Sequence, residues 1–426
     1  MSIAQEVHGR AVLVALATSG GELSTVEVEL AELARLLKTA GGTPVARMIQ
    51  TRESPDTATY IGSGKLSELR TLCENENAGL VVFNGELSPS QIRNIEDALD
   101  GPTVCDRTML ILDIFALHAV TGEGKLQVEL AQLKYTAPRL IGKGTALSRQ
   151  EGRIGSRGPG ESKLETDRRY LHRRAAALEE QLRELAANRA TMRAARERSG
   201  IPKVAIVGYT NAGKSTLLNA LTDAGVLSED KLFATLDPTT RRLALPTGQE
   251  VLLTDTVGFI RRLPHQLIRA FHSTLEEATH ADVLLLVADV SDPECSAHLD
   301  VTRNLLSELG AGEIPQIVVY NKCDLAESFS AETYNTGTDR VFLSAKDGSG
   351  IPNLLFAIVE ALKKEKREAV LLIPYAEAGL LNLLRGECAF LEEPRYLDEG
   401  ISVKCLLDNK NYGRFSRFIL GQKENE

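Results

Sequence analysis

The sequence predicts an α/β protein of several domains, on three observations. Strand-length apolar runs alternate with segments of helical period over residues 11–120 and again over 203–366, the pattern of parallel sheets covered by helices. Between those stretches leucines recur at heptad spacing, which predicts paired helices. The chain has 426 residues, more than one hydrophobic core organises. The expected domains are an N-terminal α/β domain over 1–122, a helical hairpin over 123–200, a second α/β domain over 201–367 and a small α+β domain over 368–426.

Composition narrows the class. Hydrophobic residues make up 43% and charged residues 25%, as in ordinary folded soluble proteins. The longest apolar runs, such as Val283–Ala288 and Val370–Ile373, are strand-sized and too short to span a membrane. Met1–Arg10 lacks the basic-then-apolar order of a signal peptide, so a cytoplasmic location is expected. The six cysteines show no C-x-x-C spacing, which argues against zinc and against a disulfide framework. A net charge of −9 argues against general affinity for nucleic acid and leaves local patches open.

In the N-terminal domain, residues 11–17 read as a buried strand, and Leu23–Lys38, apolar at 26, 30, 33, 34 and 37, as a helix with one dry face. An extended stretch at 44–51, a helix near Lys65–Glu76, a strand at Leu80–Phe83, a helix opened by Ser88-Pro89-Ser90, a strand at Thr103–Cys105 and a helix over Arg107–Val120 follow. Ile61-Gly-Ser-Gly-Lys65 faintly resembles a phosphate loop, but Thr59 stands where the first glycine belongs and Leu66 follows the lysine. A turn before a helix is the expectation there.

Leu126, Leu130, Leu133, Ala137 and Leu140 step by four and three, while Leu164, Leu171, Leu178, Leu185 and Met192 step by seven. Two such seams bury each other most simply as a long antiparallel helical hairpin. Pro138 is expected to end the first helix near Ala137, and Ser162-Lys-Leu-Glu165 reads as a capping box that starts the second. The connection Ile141–Glu161 is rich in glycine. From Arg139 to Arg174 ten basic residues stand against four acidic ones, a local net of +6 in a chain of −9. Basic side chains on a pliable backbone suit an irregular polyanion such as folded RNA.

The third domain carries the chemistry. Gly208-Tyr209-Thr210-Asn211-Ala212-Gly213-Lys214-Ser215 matches G-x-x-x-x-G-K-[ST] between the apolar run Lys203–Val207 and a helix at Thr216–Thr222, the setting of a P-loop. Its glycines let successive N–H groups converge on phosphate oxygens. Lys214 is expected to reach the β- and γ-phosphates, and Ser215 to offer its hydroxyl to Mg²⁺. The strand Val251–Leu253 ends in Asp255-Thr256-Val257-Gly258, where Asp255 would hold Mg²⁺ through water and the Gly258 N–H would sense the γ-phosphate.

After the strands Val283–Val290 and Gln316–Tyr320 comes Asn321-Lys322-Cys323-Asp324. The carboxylate of Asp324 can accept from the N1–H and the exocyclic amine of guanine, donors that adenine lacks on that edge. Ser344-Ala345-Lys346, after Arg340–Leu343, is expected to close over the base with the Ala345 N–H near guanine O6. Four elements in this order predict a P-loop GTPase domain that uses GTP and Mg²⁺, with Lys214, Asp255 and Gly258 as its catalytic residues. A first switch must lie within Phe233-Ala234-Thr235-Leu236-Asp237-Pro-Thr239-Thr240, and spacing leaves Thr235, Thr239 and Thr240 as candidate Mg²⁺ ligands. Phe259 stands where related GTPases place a water-orienting Gln, so slow intrinsic turnover is expected. The last domain reads as strands at Val370–Ile373, Glu387–Glu392 and Ile401–Leu407 with a helix at Glu377–Arg385.

Taken together, G-Y-T-N-A-G-K-S, F-A-T-L-D-P-T-T, D-T-V-G-F, N-K-C-D and above all G-S-R-G-P-G-E-S-K-L-E-T-D-R-R at 155–169 resemble the HflX family of bacterial ribosome-associated GTPases, over nearly the whole chain. The resemblance implies that Thr235 is the switch Mg²⁺ ligand beside Ser215 and that the hairpin reaches the ribosome. It further implies GTP-dependent splitting of ribosomes into subunits. Members are also described as accepting ATP at an N-terminal site, which Gly62-Ser-Gly-Lys65 does not by itself establish. The expected partner is the large ribosomal subunit, reached by a monomer through loop 141–161. The rival reading is a regulatory switch that holds a protein partner and meets ribosomes incidentally.

Overall fold

The computed structural model describes residues 9–18, 23–140, 159–197, 201–222, 232, 233, 236, 238–262, 277–326, 337–364, 367–407 and 409–420. It divides into two compact units. One comprises Met1–Met192 with Leu227–Pro238 and Thr256–Glu276; the other comprises Arg193–Val226, Thr239–Asp255 and Glu277–Glu426.

In the first unit β1 (Arg10–Thr18), α1 (Leu23–Thr39), β2 (Thr43–Arg52), α2 (Ser63–Glu76), β3 (Leu80–Phe83), α3 (Pro89–Leu99), β4 (Thr103–Asp106) and α4 (Arg107–His118) alternate as the apolar pattern requires. The strands form a parallel sheet of order β2-β1-β3-β4. β3 is buried at all four residues, because helices cover both faces of such a sheet. Ser88 caps α3 through a reciprocal capping box with Gln91, and Pro89 fits the first turn. The stretch 61–65 is a turn into α2: the Gly62 N–H donates to Gln50 Oε1, and Lys65 is paired with Glu68.

Asp106 joins three elements at the carboxyl end of this sheet. Its Oδ1 accepts the Met109 N–H and caps α4, while Oδ2 accepts the Leu87 N–H and, at 2.5 Å, the Tyr135 hydroxyl from α5 (Gly122–Leu140). Within α4, burial raises the Asp113 carboxyl from 3.8 to about 7. Between those values the native protein keeps a proton that the unfolded chain has released, so stability falls as pH rises through that window. Asp113→Asn should therefore stabilise the protein at pH 8 and hardly at pH 4, measured by thermal unfolding. An equal shift at both values would assign the effect to packing.

α5 and α6 (Pro159–Glu197) form the predicted pair, with Glu123 meeting Arg189 and Lys134 meeting Glu179 in antiparallel sense. On α6 the seam leucines at 171, 178 and 185 are sheltered, as are positions 174, 175, 179, 182 and 189. α5 differs. Its buried residues include Gln127, Val128, Ala131 and Tyr135, while Leu126 and Leu133 are half-buried, because α5 also packs on α3 and α4. The helix continues through Pro138 to Leu140, so the missing N–H costs a bond without ending it. α6 begins at Pro159, which places Ser162 and Glu165 inside the helix rather than at its cap; proline at a first helical turn is itself a start signal. Residues 141–158 lie outside the described residues.

The second unit holds β5 (Lys203–Gly208), α7 (Lys214–Thr222), β6 (Thr239–Ala244), β7 (Glu250–Asp255), β8 (Val283–Asp289), α8 (Cys295–Glu308), β9 (Gln316–Asn321), β10 (Arg340–Phe342) and α9 (Ile351–Lys364). The sheet order is β10-β9-β8-β5-β7-β6, parallel except for the edge strand β6. Central β8, Val-Leu-Leu-Leu-Val-Ala, is fully buried up to Asp289. Each such Leu or Val adds about 1.5–3 kcal/mol of transfer free energy, and β6 carries exposed Arg241 and Arg242 that blunt the edge.

The same unit ends in an antiparallel sheet with its own core, made of β11 (Arg367–Ile373), β12 (Ala389–Phe390), β13 (Arg395–Leu397) and β14 (Gly400–Leu407), with α10 (Leu380–Glu387) and α11 (Asn409–Arg414). The helix expected from Glu377 starts only at Leu380, after a 3₁₀ turn at Tyr375–Glu377, and the strand expected over 387–392 shrinks to two residues. Among the described residues no helix is long and apolar enough to cross a membrane, and all six cysteines are free.

Candidate functional site

Gly208 to Ser215 curl from the end of β5 into α7. Gly208 lies at φ +155 and a side chain there would collide with the Val287 carbonyl of β8; Gly213, at φ +93, is pressed against the Asn321 amide. These positions require glycine on space and, at Gly213, on backbone conformation. Asn211, at φ +62, is a residue type that tolerates the left-handed region.

Two polar side chains of the loop are buried. Lys214 is only 7% exposed, and burial lowers its ammonium from 10.5 to about 8; its Nζ donates to the neutral Tyr209 carbonyl at 2.9 Å. A cation sheltered this way is stabilised by a bound anion. The Thr210 hydroxyl is buried without a hydrogen-bond partner among the described residues. Ser215 Oγ donates to Asp255 Oδ2 at 2.6 Å, which brings the two expected oxygen donors together. A hydroxyl and a carboxylate suit Mg²⁺, which takes hard oxygen ligands and keeps several waters.

Asn321, at the end of β9, ties two motifs to the loop. Its Nδ2 donates to the Ala212 carbonyl at 2.9 Å, and its Oδ1 accepts the Ala345 N–H at 2.9 Å. The Ala345 N–H, expected to face guanine O6, is therefore engaged by Asn321. Lys322, at φ +64, pairs with Asp289 at 2.7 Å, a partner that the motif itself does not reveal. Asp324 is exposed on a 3₁₀ turn, open to a base edge. Burial raises the Cys323 thiol to about 11 and keeps it neutral. Ser344 is buried and Lys346 exposed.

The P-loop, Asp255, Asn321–Asp324 and Ser344–Lys346 thus gather in one unit. The remaining expected residues fall in the other. Thr256, Val257 and Gly258 are buried there, as are Phe233 and Leu236; Ala234, Thr235 and Asp237 lie outside the described residues. Phe233, at φ +59, sets its ring edge-on to Phe115 of α4, with centroids 4.7 Å apart, and the Leu232 N–H donates to Thr39 Oγ1. Arg107 is buried in an ion pair with Glu32, donates to Asn84 Oδ1, and also donates to the Arg261 carbonyl; Arg262 pairs with Glu29. Phe259 is 1% exposed and its ring has no group with which to orient a water.

Sequence reasoning missed Arg107 and Glu29, which no motif marks. It also missed Tyr170 of α6, 67% exposed beside exposed Arg168, Arg169 and Arg173. An exposed aromatic among arginines was legible as a base-stacking surface.

The chain matches the families described as GTP-binding GTPase N-terminal over residues 27–116, GTP-binding GTPase Middle Region over 118–196 and 50S ribosome-binding GTPase over 203–322. It is 50% identical to a GTPase HflX of Caldanaerobacter subterraneus, over 96% of this chain and 94% of that one. With GTPase HflX of Escherichia coli it shares 43% identity over 83% of each chain. A GTP-binding protein from the archaeon Sulfolobus solfataricus, crystallised with GDP, is 27% identical, covers 83% of this chain and 99% of its own, and gives a TM-score of 0.43.

Proposed function

The chain belongs to the HflX family of GTPases, and on that premise we propose that it binds the large ribosomal subunit and uses GTP to split ribosomes into subunits in the cytoplasm, acting as a monomer. Lys214 holds the β- and γ-phosphates, and the loop N–H groups fix their orientation. Ser215 and Asp255 would hold Mg²⁺, with Thr235 as the switch ligand; bound there, the ion supplies neutralisation of charge developing on the phosphate oxygens. Asp324 reads the guanine edge, and the Gly258 N–H reports the γ-phosphate.

One observation carries the ribosomal half of this reading: the local net charge of +6 over 139–174 in a chain of −9. α6, at 39 residues, is about 58 Å long at 1.5 Å per residue and carries Lys163, Arg168, Arg169, Arg173 and Arg174 of the basic stretch. Tyr170 adds a surface for an unstacked base. Because Phe259 cannot orient water, hydrolysis by the protein alone is slow, and the large subunit completes the order the site lacks.

Light scattering of intact ribosomes with the protein and GTP tests the splitting; an unchanged signal would refute it. Neutralising Arg153, Arg157 and Lys163 should weaken co-sedimentation with large subunits and reduce the log–log salt slope by about two to three, with intrinsic GTP turnover unmoved. An unchanged slope would leave these charges as a solvated tip and favour a protein partner.

A further inference from the structure

Tyr209 is the aromatic side chain of the phosphate loop, and it is held from outside the loop. Its ring stacks on the imidazole of His298 in α8, with centroids 3.8 Å apart and planes 15° from parallel. Tyr209 is 6% exposed and the His298 side chain 11%. His298 Nδ1 lies 4.0 Å from Asp292 Oδ2. Asp292 is itself fixed, since its Oδ1 accepts the Glu294 N–H and its carbonyl accepts the Cys295 N–H at the start of α8.

The backbone of Tyr209 is engaged as firmly as its ring. The same carbonyl that accepts Lys214 Nζ at 2.9 Å also accepts the Ala212 N–H at 3.3 Å. Ring and carbonyl of one residue therefore link the first turn of α8 to the lysine of the loop. Two residues between them, Asn211 and Gly213, sit at positive φ, which these residue types adopt readily.

We propose that His298 is a positioning residue for phosphate binding. It holds the Tyr209 ring and, through the Tyr209 carbonyl, keeps the Lys214 ammonium aligned for the phosphates. The proposal rests on reading 208–215 as the phosphate loop. A loop arranged before the nucleotide arrives binds more tightly than one that must be ordered on binding. GDP and GTP share the β-phosphate, so His298 supports the binding of both, and because Lys214 itself stays in place the expected effect falls mainly on affinity.

The test is binding of fluorescent GDP and of a non-hydrolysable GTP analogue to the full chain, with steady-state hydrolysis alongside. His298→Ala should weaken both nucleotides by about 3- to 10-fold, the range of one aromatic stack, and raise KM by the same factor with kcat little changed. His298→Phe, which keeps a ring over Tyr209, should bind as the wild type does. In a Tyr209→Leu background, His298→Ala should cost nothing further. Full affinity in His298→Ala, a loss that Phe fails to restore, or an undiminished loss in the Tyr209→Leu background would each overturn the proposal. If His298→Ala fails to fold, His298→Leu, which fills the space without a ring, replaces it in both comparisons with the same expected losses. Absence of nucleotide binding in the wild-type protein would remove the phosphate-loop reading instead.

Discussion

Lys214→Ala should reduce GTP hydrolysis by about 10³-fold or more, since loss of a single preorganised donor already costs about 10²–10³ and the role proposed for this one serves two phosphates. The fold should not suffer. In the free protein Lys214 is a buried cation whose ammonium burial has lowered to about 8, so the charged form is a cost that alanine removes. The sign in pH follows. Between about 8 and 10.5 the unfolded chain holds a proton that the native protein has released, so wild-type stability rises with pH through that window. The alanine variant lacks this rise. Turnover measured beside thermal unfolding at pH 7.5 and 9.5 checks both halves. Retained hydrolysis, or a large loss of stability at pH 7.5, would contradict the assignment.

Asp324→Asn should weaken GTP by about 10²-fold or more, the worth of two hydrogen bonds to a charged acceptor, and should improve binding of the xanthine nucleotide. The amide can donate to the xanthine O2, where the carboxylate accepted from the guanine amine. Asp324 is exposed in the free protein, and the neighbouring contacts of Asn321 and Lys322 do not run through it. The substitution should therefore leave stability alone. Competition between GTP and XTP for the variant is the measurement, and unchanged guanine preference would take the base-reading role from Asp324.

The alternation of strands and helices was legible because each apolar run must bury two faces and each helix one: Leu80–Phe83 and Val283–Asp289 appear almost as read. The phosphate loop was legible for a stricter reason, since Gly208 and Gly213 occupy positions where a Cβ collides. The seam on α5 misled, because a heptad written in leucines does not say that the same helix must also face α4. Local rules at Pro138 and Ser162 were outweighed by the continuation of the helices through them. The side chains of Arg107, Glu29 and His298 were beyond reading, because their partners lie far away in sequence or on another element and no spacing records such meetings.

Leu232, Phe233, Arg261 and Arg262 meet Thr39, Phe115, Arg107 and Glu29 although they are made much later. The contact from Arg107 to Arg261 spans 154 residues, and that from Thr39 to Leu232 spans 193. At a synthesis rate of about 5–20 residues per second, a gap of that size lasts about 8 to 40 seconds. Phe115 waits 118 residues, about 6 to 24 seconds at that rate, for the Phe233 ring that meets it edge-on. Folding of the N-terminal half is thus tied to translation of the far half, and its last contacts to form are those of highest sequence separation.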